Sequence, residues 1–152
     1  MDTNLPPKVS FTKLIVVDAE FVAIGCTDGC VRIFSLLQRK IMRIVNLSRA
    51  VHTKSVTCLE VLPTASLNTK RPALLVGAAD GTLALWSLDE MRIKDAFDPA
   101  PLIKFSSGGS YAGGRAHEEG IELISFNSAS TLLSSIDEQN NLAIWDLTKQ
   151  GE

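Results

Sequence analysis

The two histidines, His52 and His117, together with Asp80, offer residue types that could form a His–Asp couple for proton transfer. An imidazole held against a carboxylate is the base half of a hydrolytic couple, but it works only beside a nucleophile. No serine or cysteine here sits in an elbow motif that would place one. The three cysteines, Cys26, Cys30 and Cys58, are too few and too irregularly spaced for a four-ligand zinc site or a disulfide framework, and read as buried reduced thiols. The glycine-rich stretch from Gly108 to Arg115 is followed by neither Lys-Ser/Thr nor a helix start, so it reads as a loop and not a phosphate cradle. The expectation is no metal, no cofactor and no catalytic residue.

The elements that must position these residues come from self-similarity. Phe21 to Leu36, Ala73 to Leu88 and Thr131 to Leu147 superimpose as apolar strand, polar turn, apolar strand. Their turns carry Asp28-Gly29, Asp80-Gly81 and Asn140-Asn141, residue types that accept the positive φ of a short hairpin. The second strands end in Phe34-Ser35-Leu36, Trp86-Ser87-Leu88 and Trp145-Asp146-Leu147, at intervals of 52 and 59 residues. Further strands are predicted over Val9 to Val17, Lys40 to Leu47, Val56 to Leu62, Leu102 to Ser106 and Ile121 to Asn127. The order is four strands, four strands, three strands, with no segment of convincing helical period.

These features resemble the WD-repeat family from about Val9 onward. The resemblance implies an all-β fold, a partial β-propeller of about three WD-type blades of antiparallel strands. The expected division is a flexible segment at 1–8, blade 1 at 9–50, blade 2 with long loops at 51–116, and blade 3 without its last strand at 117–152. In the family a histidine, a serine or threonine, an aspartate and the tryptophan form a buried hydrogen-bonded tetrad. Carried over, the second repeat offers His52, Asp80 and Trp86, with Ala78 in the hydroxyl slot. The third offers His117 and Trp145, with Asp137 in the hydroxyl slot and Gln139 in that of the aspartate. The first keeps only Asp28, beside Cys26 and Phe34. Buried polar groups cost free energy unless paired, so the tetrad-like residues read as struts.

The family's partner-binding rim would fall here on Arg49, Lys54, Tyr111, Arg115, Glu118, Glu119 and Glu138, a mixed-charge set that selects no simple ion. With 15 basic and 17 acidic residues scattered along 152, no nucleic-acid footprint is visible. No apolar run approaches the roughly 20 residues of a membrane span, and the start has no secretory pattern, so an intracellular, more cytoplasmic than nuclear, setting is expected. The implied function is a non-catalytic protein-interaction scaffold within a larger propeller or multiprotein complex. Its partners would be peptide segments, complex subunits or further blades from a longer chain, a partner or self-association. The alternative is a propeller hydrolase.

Overall fold

The hairpin turns close with the backbone their residues favour: Gly29 and Gly81 have φ of 77° and 83°, and Asn140 takes 66° in the third. Each turn joins two strands that pair in register, Gly25 to Val31, Gly77 to Leu83 and Ile136 to Leu142. In the computed structural model, residues 8–46, 54–62, 73–87, 103–106, 116–127 and 131–147 are described. They form three antiparallel sheets and, among these residues, no helix.

The first sheet runs β1 (Phe11–Val16), β2 (Phe21–Cys26), β3 (Cys30–Ser35) and β4 (Lys40–Asn46) in spatial order. The second runs β5 (Val56–Leu62), β6 (Ala73–Ala78), β7 (Leu83–Ser87) and the two-residue β8 (Ile103–Lys104). The third holds β9 (Ile121–Phe126), β10 (Leu132–Asp137) and β11 (Leu142–Asp146). Among the described residues the predicted strands recur with ends trimmed by a residue or two, except that the stretch from Ile103 to Ser106 contracts to β8; Leu47 and Leu102 lie outside the described residues. Phe105 still donates its N–H to the Leu83 carbonyl.

The sheets stack through two apolar joints. Blade 1 lays Ala23, Val31, Ile33 and Val45 against Val56, Leu74, Val76 and Trp86 of blade 2. Blade 2's opposite face, with Leu75, Leu83, Leu85 and Phe105, meets Ile121, Leu133 and Trp145 of blade 3. β6 is buried at every position, with neighbours on both of its faces, and so is β3, whose Phe34 packs with Val22, Ile24 and Cys26 in a further cluster, while β9 and β11 keep exposed residues. Burial of this kind, at roughly 25 cal/mol per Å² of apolar surface, is the main force joining the blades.

Two glycines set how close the joints are. A Cβ on Gly25 would lie 2.5 Å from Val56 Cγ1, and one on Gly77 would lie 2.9 Å from Ile121 Cγ2. Register makes these the same position of each blade's second strand, each receiving the first residue of the next blade's first strand, β5 or β9. The third blade has Ile136 there.

Candidate functional site

The turns and the segments before each first strand are laced into one rim. The residue after each blade's second strand (β2, β6, β10) donates its N–H to the carbonyl just ahead of the first (β1, β5, β9): Thr27 to Ser10, Ala79 to Ser55 and Glu138 to Gly120. Adjacent blades are linked the same way. Ser55 Oγ donates to the Thr27 carbonyl at 3.0 Å, and the His117 N–H donates to the Gly81 carbonyl at 3.1 Å. His117 lies three residues before Gly120, as His52 lies three before Ser55. The rim thus fixes where the third blade's histidine enters the protein.

There the imidazole spans two strand-borne groups. His117 Nε2 lies 2.7 Å from Ser135 Oγ, and Nδ1 lies 3.2 Å from Asp137 Oδ2. Trp145 Nε1 donates to the same Ser135 Oγ at 3.0 Å. Alternation explains the arrangement: Leu133, Ser135 and Asp137 share one face of β10, and Trp145 pairs with Leu133 on the neighbouring strand. One assignment of protons satisfies every partner. The indole donates to the hydroxyl, the hydroxyl donates to Nε2, and the Nδ1 proton goes to the carboxylate, a tautomer inferred from the network.

Asp137 also closes the turn. It accepts from the Gln139 N–H at 2.9 Å, the Asn141 N–H at 2.9 Å and the Asn141 amide at 3.0 Å. Burial pushes its carboxyl up, but these donors, with the adjacent His117, outweigh burial and leave it below its ordinary 3.8. The hydroxyl slot therefore belongs to Ser135 and the acid slot to Asp137, which differs by two residues from the expected placement of Asp137 and Gln139. The physical reason is the turn: Asp137 is the last residue of β10, and Gln139 lies within the turn itself, exposed.

The same register moves the slots in the other blades. Val76 and Ala78 of blade 2, and Ile24 and Cys26 of blade 1, stand where blade 3 has Ser135 and Asp137. Asp80 and Asp28 are equivalent to Gln139 and work within their own turns. Asp80 Oδ1 accepts from the Thr82 N–H at 3.1 Å and from the Thr82 hydroxyl. Asp28 accepts the Cys30 N–H at 3.1 Å and holds the Arg32 guanidinium through two bonds of 3.2 and 3.1 Å. Burial opposes the ionised Asp28, and the Arg32 contact and the Cys30 N–H overcome it, so its carboxyl also lies below the ordinary value. Trp86 is buried in the joint between blades 1 and 2. His52, the expected partner of Asp80, lies outside the described residues.

Serine, histidine and aspartate in this order have the connectivity of a hydrolytic triad, so burial decides the chemistry. Ser135 is 0% exposed, and its oxygen is already taken by the indole N–H. His117 and Asp137 are 3% and 1% exposed. A nucleophile must reach a substrate carbonyl, and this hydroxyl is enclosed between two blades. The arrangement is one of structural pairing. Sequence reasoning missed Ser135; counting two back from Asp137 along a strand would have found it.

Of the candidate rim residues, Lys54, Glu118 and Glu138 are exposed and Glu119 is half-buried. They lie on the segments that the rim hydrogen bonds tie together. Arg49, Tyr111 and Arg115 lie outside the described residues. Cys26, Cys30 and Cys58 are free, buried thiols, and burial raises each, Cys30 to about 11. Among the described residues no cluster of His, Cys, Asp or Glu could hold a metal ion. Nor, among them, is any helix long and apolar enough to cross a membrane.

Comparison with solved structures gives the same architecture. A chain in the crystal structure of a mitotic checkpoint complex matches with a TM-score of 0.67 at 18% identity, over 95% of this chain and 36% of that one. The Cps50 (Swd1) β-propeller domain of Myceliophteria thermophila matches at 0.65 and 15% identity, over 94% of this chain and 42% of that one. The computationally designed Ika4 protein matches at 0.64 and 19%, over 97% of this chain and 71% of that one. The chain thus spans little more than a third of the first of these, and the likeness is one of fold. No curated protein matches it in sequence. The family description that fits is that of the LRRK2 β-propeller, matched over residues 9–113, more than half of the sequence. With three antiparallel blades in register and WD-type turns, the chain is a partial WD-type β-propeller and belongs to the LRRK2 β-propeller family.

Proposed function

We propose that this chain is a non-catalytic protein-interaction scaffold, part of a larger propeller or multiprotein complex, that presents its rim to peptide segments or neighbouring subunits. The observation that carries this reading is the burial of Ser135, His117 and Asp137 between blades. The polar groups with catalytic geometry are used for cohesion, while Lys54, Glu118 and Glu138 of the rim are accessible. Lys54, Glu118, Glu119 and Glu138 carry both signs, which suits a polypeptide ligand better than a polyanion. A fold relative crystallised within a multiprotein checkpoint assembly supports the same reading. Three free thiols are in keeping with a reducing, intracellular setting, for which we favour the cytoplasm.

The test compares wild type with a Glu118→Lys/Glu138→Lys variant as bait in affinity capture with quantitative mass spectrometry, folding being checked by circular dichroism. A defined subset of captured proteins should drop at least about tenfold, equivalent to about 1.4 kcal/mol of interface. An unchanged set would refute the rim assignment. A fluorophosphonate probe addresses the hydrolase reading separately. Labelling of folded protein that Ser135→Ala abolishes would establish an active serine and overturn the scaffold.

A further inference from the structure

The first hairpin closes on two cysteines. Gly25 pairs with Val31, so Cys26 and Cys30 are the next residues to face one another, across Thr27, Asp28 and Gly29. The turn between them is tight, with the Gly29 N–H donating to the Cys26 carbonyl at 3.2 Å and Gly29 at a φ of 77°. The same two positions close the other hairpins. In blade 2 the Ala78 N–H donates to the Thr82 carbonyl at 3.1 Å, and in blade 3 the Asp137 N–H donates to the Asn141 carbonyl at 3.2 Å. In blade 3 the side chains of this pair also meet, Asn141 Nδ2 lying 3.0 Å from Asp137 Oδ2.

Residues directly opposite in an antiparallel pair hold their Cα atoms about 4.5–5.5 Å apart, within the roughly 4.4–6.8 Å that a disulfide spans. Alternation puts Cys26 with Val22 and Ile24, and Cys30 with Arg32 and Phe34, on one face of blade 1. Both thiols therefore project to the same side of the hairpin. The third, Cys58, belongs to the joint between blades 2 and 3, and its ladder partner is Gly77. Burial pushes the Cys26 and Cys30 thiols up, Cys30 to about 11, and at Cys26 the adjacent Arg32 guanidinium opposes it by favouring the thiolate. At 0% and 7% exposed, the pair favours an oxidant little larger than water over a bulkier reagent.

We propose that Cys26 and Cys30 are a modification site, a dithiol that hydrogen peroxide converts to an intramolecular disulfide without unfolding the blade. The Cys26 thiolate attacks one peroxide oxygen, the O–O bond breaks, and the hydroxide released takes the proton that the Cys26 thiol gave up and leaves as water. The Cys30 sulfur then attacks the sulfenic sulfur of Cys26, an S–S bond forms, and the displaced hydroxide leaves as a second water with the Cys30 proton. The two thiols lose two electrons and two protons to one peroxide. The bond closes a ring around Thr27, Asp28 and Gly29 and stiffens the turn whose Thr27 carbonyl receives Ser55 Oγ. The inference stands on the hairpin register and not on what binds the rim, so the capture experiment and this one fail independently.

Folded protein is treated with hydrogen peroxide, unfolded in urea with iodoacetamide and digested with trypsin. Cys26 and Cys30 share the peptide from Leu14 to Arg32, and Cys58 falls on the peptide from Ser55 to Lys70. The first peptide should be unalkylated and about 2 Da lighter than its reduced form, dithiothreitol should reverse this, and Cys58 should be alkylated. The oxidised protein should keep its circular dichroism spectrum and its cooperative urea transition, and Cys58→Ser should give the same yield of disulfide. Alkylation of both Cys26 and Cys30 after peroxide, a disulfide to Cys58, or loss of the native spectrum on oxidation would each overturn the inference. In single variants, Cys26 of Cys30→Ser should oxidise faster than Cys30 of Cys26→Ser, and equal or reversed rates would overturn the order of attack.

Discussion

Replacing Ser135 by alanine removes one oxygen and about the volume of a water-sized group, yet it cuts the third blade's polar chain at its centre. The Trp145 indole N–H and His117 Nε2 both lose their partner, at sites 8% and 3% exposed. A buried polar group left unpaired costs about 1–3 kcal/mol. Because the tryptophan keeps a little access to solvent, the sum is placed at about 2–4 kcal/mol. At this chain length that corresponds to a melting point lower by roughly 5–15 °C. The assay is urea unfolding followed by tryptophan fluorescence and far-ultraviolet circular dichroism. Ser134→Ala serves as the control, since its hydroxyl makes only an exposed 3.4 Å contact to the Ser125 carbonyl and should change stability by no more than about 0.5 kcal/mol. Trp145→Phe should cost less in the Ser135→Ala background than in wild type, as coupled partners do. If Ser135→Ala costs no more than Ser134→Ala, the hydrogen-bonded chain does not hold the blade and the argument is wrong.

Gly81→Ala should be among the most damaging small substitutions: φ of +83° costs a side chain roughly 1–2 kcal/mol, and the new Cβ would lie 2.1 Å from the His117 carbonyl. A loss below about 1 kcal/mol in the same urea assay would show that the rim contact yields easily. Because the folded Asp137 carboxyl lies below its ordinary 3.8, its contribution is fully present above that value and is lost as pH falls through the folded pKa. Acid unfolding should therefore begin below about pH 4 and shift measurably in Asp137→Asn, and an unchanged acid midpoint would count against the assignment. Cys26, Cys30 and Cys58, all buried and raised, should resist iodoacetamide at pH 8 until urea unfolds the chain; prompt alkylation of the folded protein would show that the joints open.

The fold was readable because its signals are local. Asp28-Gly29 and Asp80-Gly81 mark hairpins by backbone chemistry, and the apolar runs on either side can be only strands at that length. The site was half readable. His117 and Trp145 stand at positions that spacing alone identifies, but the hydroxyl and acid slots depend on where β10 ends. An error of two residues keeps the same face of a strand, so alternation offers no warning. The turn chemistry decides it: Asp137 accepts three donors from Gln139 and Asn141, which fixes it as the strand's last residue and not as part of the turn. Short strand β8 was overestimated because Leu102 to Ser106 is apolar enough for five residues, whereas among the described ones only Ile103 and Lys104 are ladder partners of β7 and Phe105 adds a single hydrogen bond to Leu83.

The distribution of polar links follows from which faces are covered. Blade 2 lies between two neighbours, fills the positions of Ser135 and Asp137 with Val76 and Ala78, and is packed on both faces by apolar side chains. Each outer blade has one face against a neighbour, and both carry polar links at their turns. Blade 3 has the Trp145, Ser135, His117 and Asp137 chain, which ties the segment before β9 to the far end of β10. Blade 1 has no histidine upstream of its strands and uses the Asp28 and Arg32 pair instead, with the arginine side chain 3% exposed. Asp28 keeps 28% exposure, so the pair adds little net stability, but losing the carboxylate would leave the buried guanidinium without its partner. The pair therefore acts less as a source of stability than as a constraint on the Asp28-Gly29 turn. That turn supplies the Thr27 carbonyl to Ser55, so the constraint at the outer blade carries across the first joint to the start of blade 2.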